Sequence, residues 1–289
     1  MLPWYGLRPP RETYQRSKDL AVRALALDPD SAAAHTALAY VHHYFDWDWP
    51  AAEQEYRRGL QINPSYAQAH QWLAAMHAER GRTDAALQEM RSAERLDPHA
   101  PIIPAAIGWI QYLARDFDPA IAQLRRTVER DPDFVPARLW LGQALEASGR
   151  PADAVEQYLA VRRVVGEART GLGELARGLA LAGQTARARA ELNTLLRLAE
   201  TGYVEADLIA RVYEALGDRA QTLAWLARAR PRGARDQDDP AGRGSPIRSA
   251  ARRSGVCGAA CARRPPAVGV DPDIQSTRPA VEWRGQLRC

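Results

Sequence analysis

The sequence predicts an all-α fold: a solenoid of about six stacked helical hairpins, with one partial unit before them. Three observations predict it. A Leu-Asp-Pro motif or a variant recurs at Leu27-Asp28-Pro29, Ile62-Asn63-Pro64, Leu96-Asp97-Pro98 and Arg130-Asp131-Pro132, and the last three prolines are 34 residues apart. The same period gives unit starts at Ala67, Pro101, Val135, Arg169 and Tyr203, after a unit one residue longer that starts at Ala32. Within this register three columns keep their character, which is the signature of a repeat architecture.

Taken in order, residues 1–31 hold one helix, about Glu12 to Leu27, that matches the second half of a unit. Residues 32–230 hold the six units. Position 7 is Leu38, Leu73, Ile107, Leu141, Leu175 and Ile209; position 8 is Ala39, Ala74, Gly108, Gly142, Ala176 and Ala210. Position 20, allowing for the longer first unit, is Ala52, Ala86, Ala120, Ala154, Ala188 and Thr222. Small residues at 8 and 20 let two antiparallel helices approach, and the large residue at 7 fills the space between them. Gly81, Gly149, Gly183 and Gly217 end first helices. Proline near the end of a unit breaks the second helix. Later closing positions depart from this pattern: Gly166 and Glu200 stand where proline is expected, and Leu195 replaces a small residue at position 27. Longer or differently tilted helices are expected there. Residues 231–289 hold 7 Pro, 7 Gly and one aromatic, Trp283, without apolar periodicity. They read as a disordered basic tail or as the product of a shifted reading frame.

Charge divides the chain at the same point. Residues 1–230 carry 28 Lys+Arg and 29 Asp+Glu, a net of −1, while residues 231–289 carry 11 and 6, a net of +5. The overall +4 therefore describes the tail and gives the helical body no bias toward nucleic acid. Of the 39 basic residues only Lys18 is lysine, a bias typical of a GC-rich genome. No run of eighteen apolar residues could span a membrane, and Met1 to Pro10 lacks the apolar stretch of a secretory signal. The cysteines, Cys257, Cys261 and Cys289, all follow the body, so no disulfide braces residues 1–256. A cytoplasmic location is expected.

The period, the small-residue columns and the closing proline together resemble the tetratricopeptide repeat family over about residues 11–230. The resemblance implies a right-handed α-α superhelix whose concave face is lined mainly by first helices. The stretch Tyr44-Phe45-Asp46-Trp47-Asp48-Trp49, with Gly6 to Glu12 upstream, resembles the repeat region of bacterial winged-helix regulators, adenylate cyclases and serine/threonine kinases. That resemblance implies, as an alternative, a sensory or docking segment detached from its effector domain. Trp47 and Trp49 are expected either to seal the end of the stack or to dock a preceding domain.

No catalytic constellation is evident, and neither a cofactor nor a metal is expected. His35 and His70 share position 4, and His42 and His77 share position 11; both columns read as packing sites rather than metal ligands. Cys257 and Cys261 lack the further ligands a zinc site needs. There is no phosphate loop. The basic tail lacks the aromatics that stack nucleic acid bases, so nucleic acid is not an expected partner.

A protein or peptide partner remains. On the family pattern, positions 2, 5, 9, 12 and 13 face the groove. The candidates there are Tyr40, His43, Tyr44, Gln68, Gln71, Trp109, Tyr112, Gln143, Glu146 and Arg211, with Glu79, Asp207 and Glu214 beside them. A chaperone-type carboxylate clamp needs Lys and Asn in those columns; Lys18, Asn63 and Asn193 lie elsewhere, so that mode is not expected.

Overall fold

The computed structural model describes residues 10–166 and 169–229, with side chains from Thr13 onward. The expectations for the tail and its cysteines lie outside the described residues. Thirteen α-helices and one π-helical turn make up the described chain. Helix α1, Pro10–Leu27, is the partial unit. Six hairpins follow: α2 (Ala32–Val41) with α3 (Trp49–Ile62), α4 (Ala67–Glu79) with α5 (Thr83–Leu96), and α6 (Ile102–Leu113) with α7 (Phe117–Arg130). Then come α8 (Val135–Ala147) with α9 (Pro151–Val165), α10 (Leu172–Leu181) with α11 (Thr185–Thr201), and α12 (Ala206–Ala215) with α13 (Arg219–Ala229).

Each hairpin closes for the reasons its columns supply. Ala52, Ala86, Ala120, Ala154 and Ala188 are fully buried, as are Ala39, Ala74 and Ala176 opposite them. A β-carbon added at Gly142 would stand 2.3 Å from the Tyr158 ring, and one at Gly108 would stand 2.6 Å from Leu124 Cγ. The helices are therefore closer there than alanine permits. Ile107 is the exception in column 7, being only partly covered.

Proline sets the break between units. It disfavours the helical region for the residue before it. Asn63, Asp97 and Asp131 accordingly take φ of −132°, −139° and −136° with ψ between 78° and 91°. Asn63 also accepts from Ser65 N at 3.0 Å, an Asx-type turn that redirects the chain.

The extra residue of the first unit is absorbed as the π-helical turn, His42–Asp46. One inserted residue widens a helix in this way. Trp47 then takes a left-handed φ of 58°, and Asp48 caps α3 by accepting from Ala51 N at 3.1 Å.

In the fifth hairpin, α11 runs 17 residues, and Leu195 is fully buried among Leu172, Leu192, Ile209 and Val212. Beyond its own partner α13, α12 packs more closely on α10 than on α11, with Leu195 filling the space between α11 and α12. Arg169 bridges to this last hairpin, donating to Tyr203 O at 2.6 Å.

First helices of successive hairpins contact one another along the stack, while second helices do so far less. First helices thus line the inner side of the described residues.

Candidate partner-binding groove

The first-helix face begins under α1. Tyr14 of α1, 2% exposed, stacks on Phe45 (5.5 Å between ring centroids) and on Tyr40 (6.1 Å). Tyr40, half-buried, lies 4.6 Å from both Tyr44 and Trp72. Tyr44 donates to Glu79 at 3.2 Å, and burial pushes its hydroxyl far above the ordinary phenol range. His43 is not in the groove: it is 1% exposed, with its ring 3.9 Å from Tyr44 and Nε2 3.0 Å from Glu79 of α4. Its burial follows from the π-turn, which rolls this side chain between the first two hairpins. Phe45 joins the seal with α1, whereas Trp49 lies under Arg80 at 5.2 Å and Trp47 is 36% exposed.

In the second hairpin Gln68 is exposed and accepts from the Tyr66 hydroxyl at 3.0 Å; Gln71 is half-buried. In the third, Trp109 is 3% exposed because it stacks on Trp140 of the next first helix, 5.8 Å away. It packs between units and presents little to a ligand. Tyr112 is half-buried, tilted against Phe117 at 5.9 Å.

The fourth hairpin corrects two more expectations. Gln143 is 5% exposed and its amide oxygen has no donor among the described residues. Glu146 has a 3% exposed side chain, covered by Arg177 of the next unit at 2.8 Å. Burial outweighs that guanidinium and pushes the Glu146 carboxyl up to about 7. The side chain that reaches the surface is Arg177 itself, 34% exposed. In the sixth hairpin Arg211, 20% exposed, pairs with Asp207 at 3.2 Å. Glu174 lies near both arginines, its carboxyl raised chiefly by burial.

Two side chains of this face were not among the sequence candidates. Arg177 occupies position 9 of the fifth unit, the column of Tyr40, Trp109, Gln143 and Arg211, so extending that column would have found it. Trp72 sits at position 6, outside the five columns.

The histidines at position 4 are also more than packing. His35 and His70 are each hydrogen-bonded at both ring nitrogens, to Glu55 and Pro29 O and to Glu89 and Pro64 O. Among the described residues no group of three or more His, Cys, Asp or Glu side chains could hold a metal ion.

A tetratricopeptide repeat family model matches residues 48–101, 106–168 and 141–203, more than half of the chain. The chain belongs to the tetratricopeptide repeat family. Solved structures agree on the fold. PilW, a type IV pilus biogenesis factor, shares 21% identity over 68% of this chain and 91% of its own, with a TM-score of 0.53. PilF of Pseudomonas aeruginosa shares 20% identity over 69% of this chain and 90% of its own, with a TM-score of 0.50. A chain of the APC/C hetero-tetramer Cut9–Hcn1 shares 15% identity, covers 75% of this chain and 42% of its own, and has a TM-score of 0.58. At these identities the likeness concerns the fold alone. No curated protein sequence matches the chain.

Proposed function

We propose that this tetratricopeptide repeat protein is a non-catalytic scaffold that holds a peptide or partner helix against its first-helix face. One observation carries the reading: partly exposed Tyr40, Trp72 and Tyr112 on α2, α4 and α6 precede two partly exposed guanidiniums, Arg177 on α10 and Arg211 on α12, all on first helices. Solenoids of stacked repeats use such concave surfaces for binding. Aromatic and arginine side chains dominate the energy of protein interfaces. A rigid face assembled by packing costs a ligand little ordering.

The order of side chains suits a segment with apolar or aromatic residues at one end and acidic ones at the other. Arg177 and Arg211 supply fork-shaped donors for carboxylates. The absence of cysteine from residues 1–256 supports a reducing, cytoplasmic setting, and no described helix is long and apolar enough to cross a membrane.

Selection of peptides displayed against the full chain tests this reading. Binders should lose about tenfold or more in affinity with Tyr112→Ala or Arg211→Ala, and should be indifferent to Arg125→Ala on α7. Selected binders that ignore both face variants would overturn it.

A further inference from the structure

Glu53 lies just past the first turn of α3, with a side chain 13% exposed, and three guanidiniums converge on it. Arg57, one turn later on α3, places Nη2 2.6 Å from Oε1. Arg82 embraces both oxygens, Nη1 at 3.2 Å from Oε1 and Nη2 at 2.8 Å from Oε2. Arg80 adds Nη1 at 3.2 Å from Oε2. Among the described residues no second carboxylate pairs with any of the three. One carboxylate therefore answers three permanent positive charges, and two are left uncompensated.

The donors are also in surplus. Arg82 Nε is buried without an acceptor. Arg57 is 62% exposed, Arg82 36% and Arg80 34%, so all three side chains reach the surface. Arg57 and Arg82 share a single acceptor atom, which holds their nitrogens within the span of one tetrahedral oxyanion. The Trp49 ring fixes the Arg80 guanidinium from below at 5.2 Å. An open depression of about 750 Å³ reaches Arg57 and Glu53, lined also by His35, Gln54, Glu55, Arg58 and Gln61; the Glu55 carboxylate there is taken up by His35 at 2.6 Å. Arg58 there is taken up by Asp30 at 2.7 Å.

We propose that Arg57, Arg80 and Arg82, oriented by Glu53, form an oxyanion site that takes a phosphate or carboxylate group of a ligand. Glu53 acts as the template that aligns the three forks, and the ligand supplies the missing negative charge. Fork-shaped guanidiniums bind both groups through paired, charge-assisted hydrogen bonds. The site lies on α3 and the turn between α4 and α5, not on the first-helix face, and does not depend on the groove.

Calorimetric titration of the full chain at low ionic strength tests it with two probes. One is inorganic phosphate; the other is the blocked dipeptide acetyl-Glu-Glu-amide; chloride at matched ionic strength is the reference. At least one probe should saturate at one site per chain, about tenfold more weakly in Arg57→Gln and in Arg80→Gln. Arg91→Gln, an exposed change on α5, should leave binding unchanged. Saturation by phosphate alone identifies a phosphoryl group, and saturation by the dipeptide alone identifies an acidic peptide. Failure of both probes to exceed chloride overturns the site, as does an equal loss in Arg91→Gln. Thermal melts confirm that Arg57→Gln, a change at an exposed side chain, leaves the fold intact.

Discussion

His70 of α4 bonds Glu89 of α5 across its own hairpin and, through its other ring nitrogen, holds the end of the preceding unit at Pro64 O. Its Nδ1 stands 2.6 Å from the Glu89 carboxylate, and its Nε2 stands 3.0 Å from Pro64 O. Both partners are acceptors, so both bonds form together when the ring carries two N–H groups. His35 repeats the arrangement with Glu55 at 2.6 Å and Pro29 O at 3.0 Å. At the same position of the fourth unit Arg138 bonds Pro132 O and Gln157, making the same clasp with a charge that does not titrate.

The clasp predicts a pH dependence of stability. Glu89 raises the His70 pKa, assisted by Pro64 O and opposed by burial and by Arg95. A raised folded value means the contribution is complete below the ordinary histidine range, about 6.5, and is lost as pH climbs through the folded value. The urea midpoint should fall between pH 6 and pH 8.5 (about one histidine titration). His70→Gln should remove part of that fall. A variant with the wild-type slope would show that the clasp contributes nothing.

Glu146 predicts a second slope of the same sign. Its carboxyl, pushed up to about 7 by burial, favours the fold most while protonated, and that advantage fades as pH rises through about 7. Glu146→Gln should therefore stabilise the protein at pH 8, by up to ~3 kcal/mol, and change little at pH 5. Arg177, 34% exposed, can turn to water once its partner is neutral. Equal effects at the two pH values would contradict this account.

Arg115 takes a φ of 63° in the turn column that Gly81, Gly149, Gly183 and Gly217 occupy in the other units from the second onward. A left-handed conformation costs a side-chain-bearing residue roughly 1–2 kcal/mol. Arg115→Gly should raise stability by about 0.5–1 kcal/mol, the gain reduced by glycine's greater freedom when unfolded and by the lost contact with Phe117 at 5.4 Å. Equilibrium urea unfolding checks this; a clear loss of stability would show that the Phe117 contact outweighs the backbone cost.

At Gly142 the opposite holds. A methyl group there would enter the Tyr158 ring, which is fully buried and cannot retreat. Gly142→Ala should destabilise by ~1–3 kcal/mol. Pairing it with Tyr158→Leu should recover part of the loss, because the smaller side chain clears the clash. No recovery would place the strain elsewhere.

How much of this was legible in the sequence depends on range. Leu141, Gly142 and Ala154 announced a hairpin because the residues that must meet recur at fixed spacing within one unit. The longer α11 was foreshadowed by Glu200 in place of proline and by Leu195. Exposure was a different matter. Trp109, Gln143 and Glu146 sit in groove columns, yet Trp140 and Arg177, from the following units, cover or stack on two of them. A column states which way a side chain leaves its helix, not what the next hairpin lays over it. The clasp was visible as two repeated histidines. Its chemistry needed the acidic partners, on second helices about twenty residues further on, to be placed beside them.

The central claim is that the first-helix face receives the partner, and photocrosslinking tests it most directly. A photoreactive residue is placed in turn at Tyr112, at Arg177 and at Arg125, and each protein is irradiated with a selected binding peptide. The account predicts crosslinks from positions 112 and 177 and none from position 125. Crosslinking from 125 alone would contradict it and place the partner on the second helices.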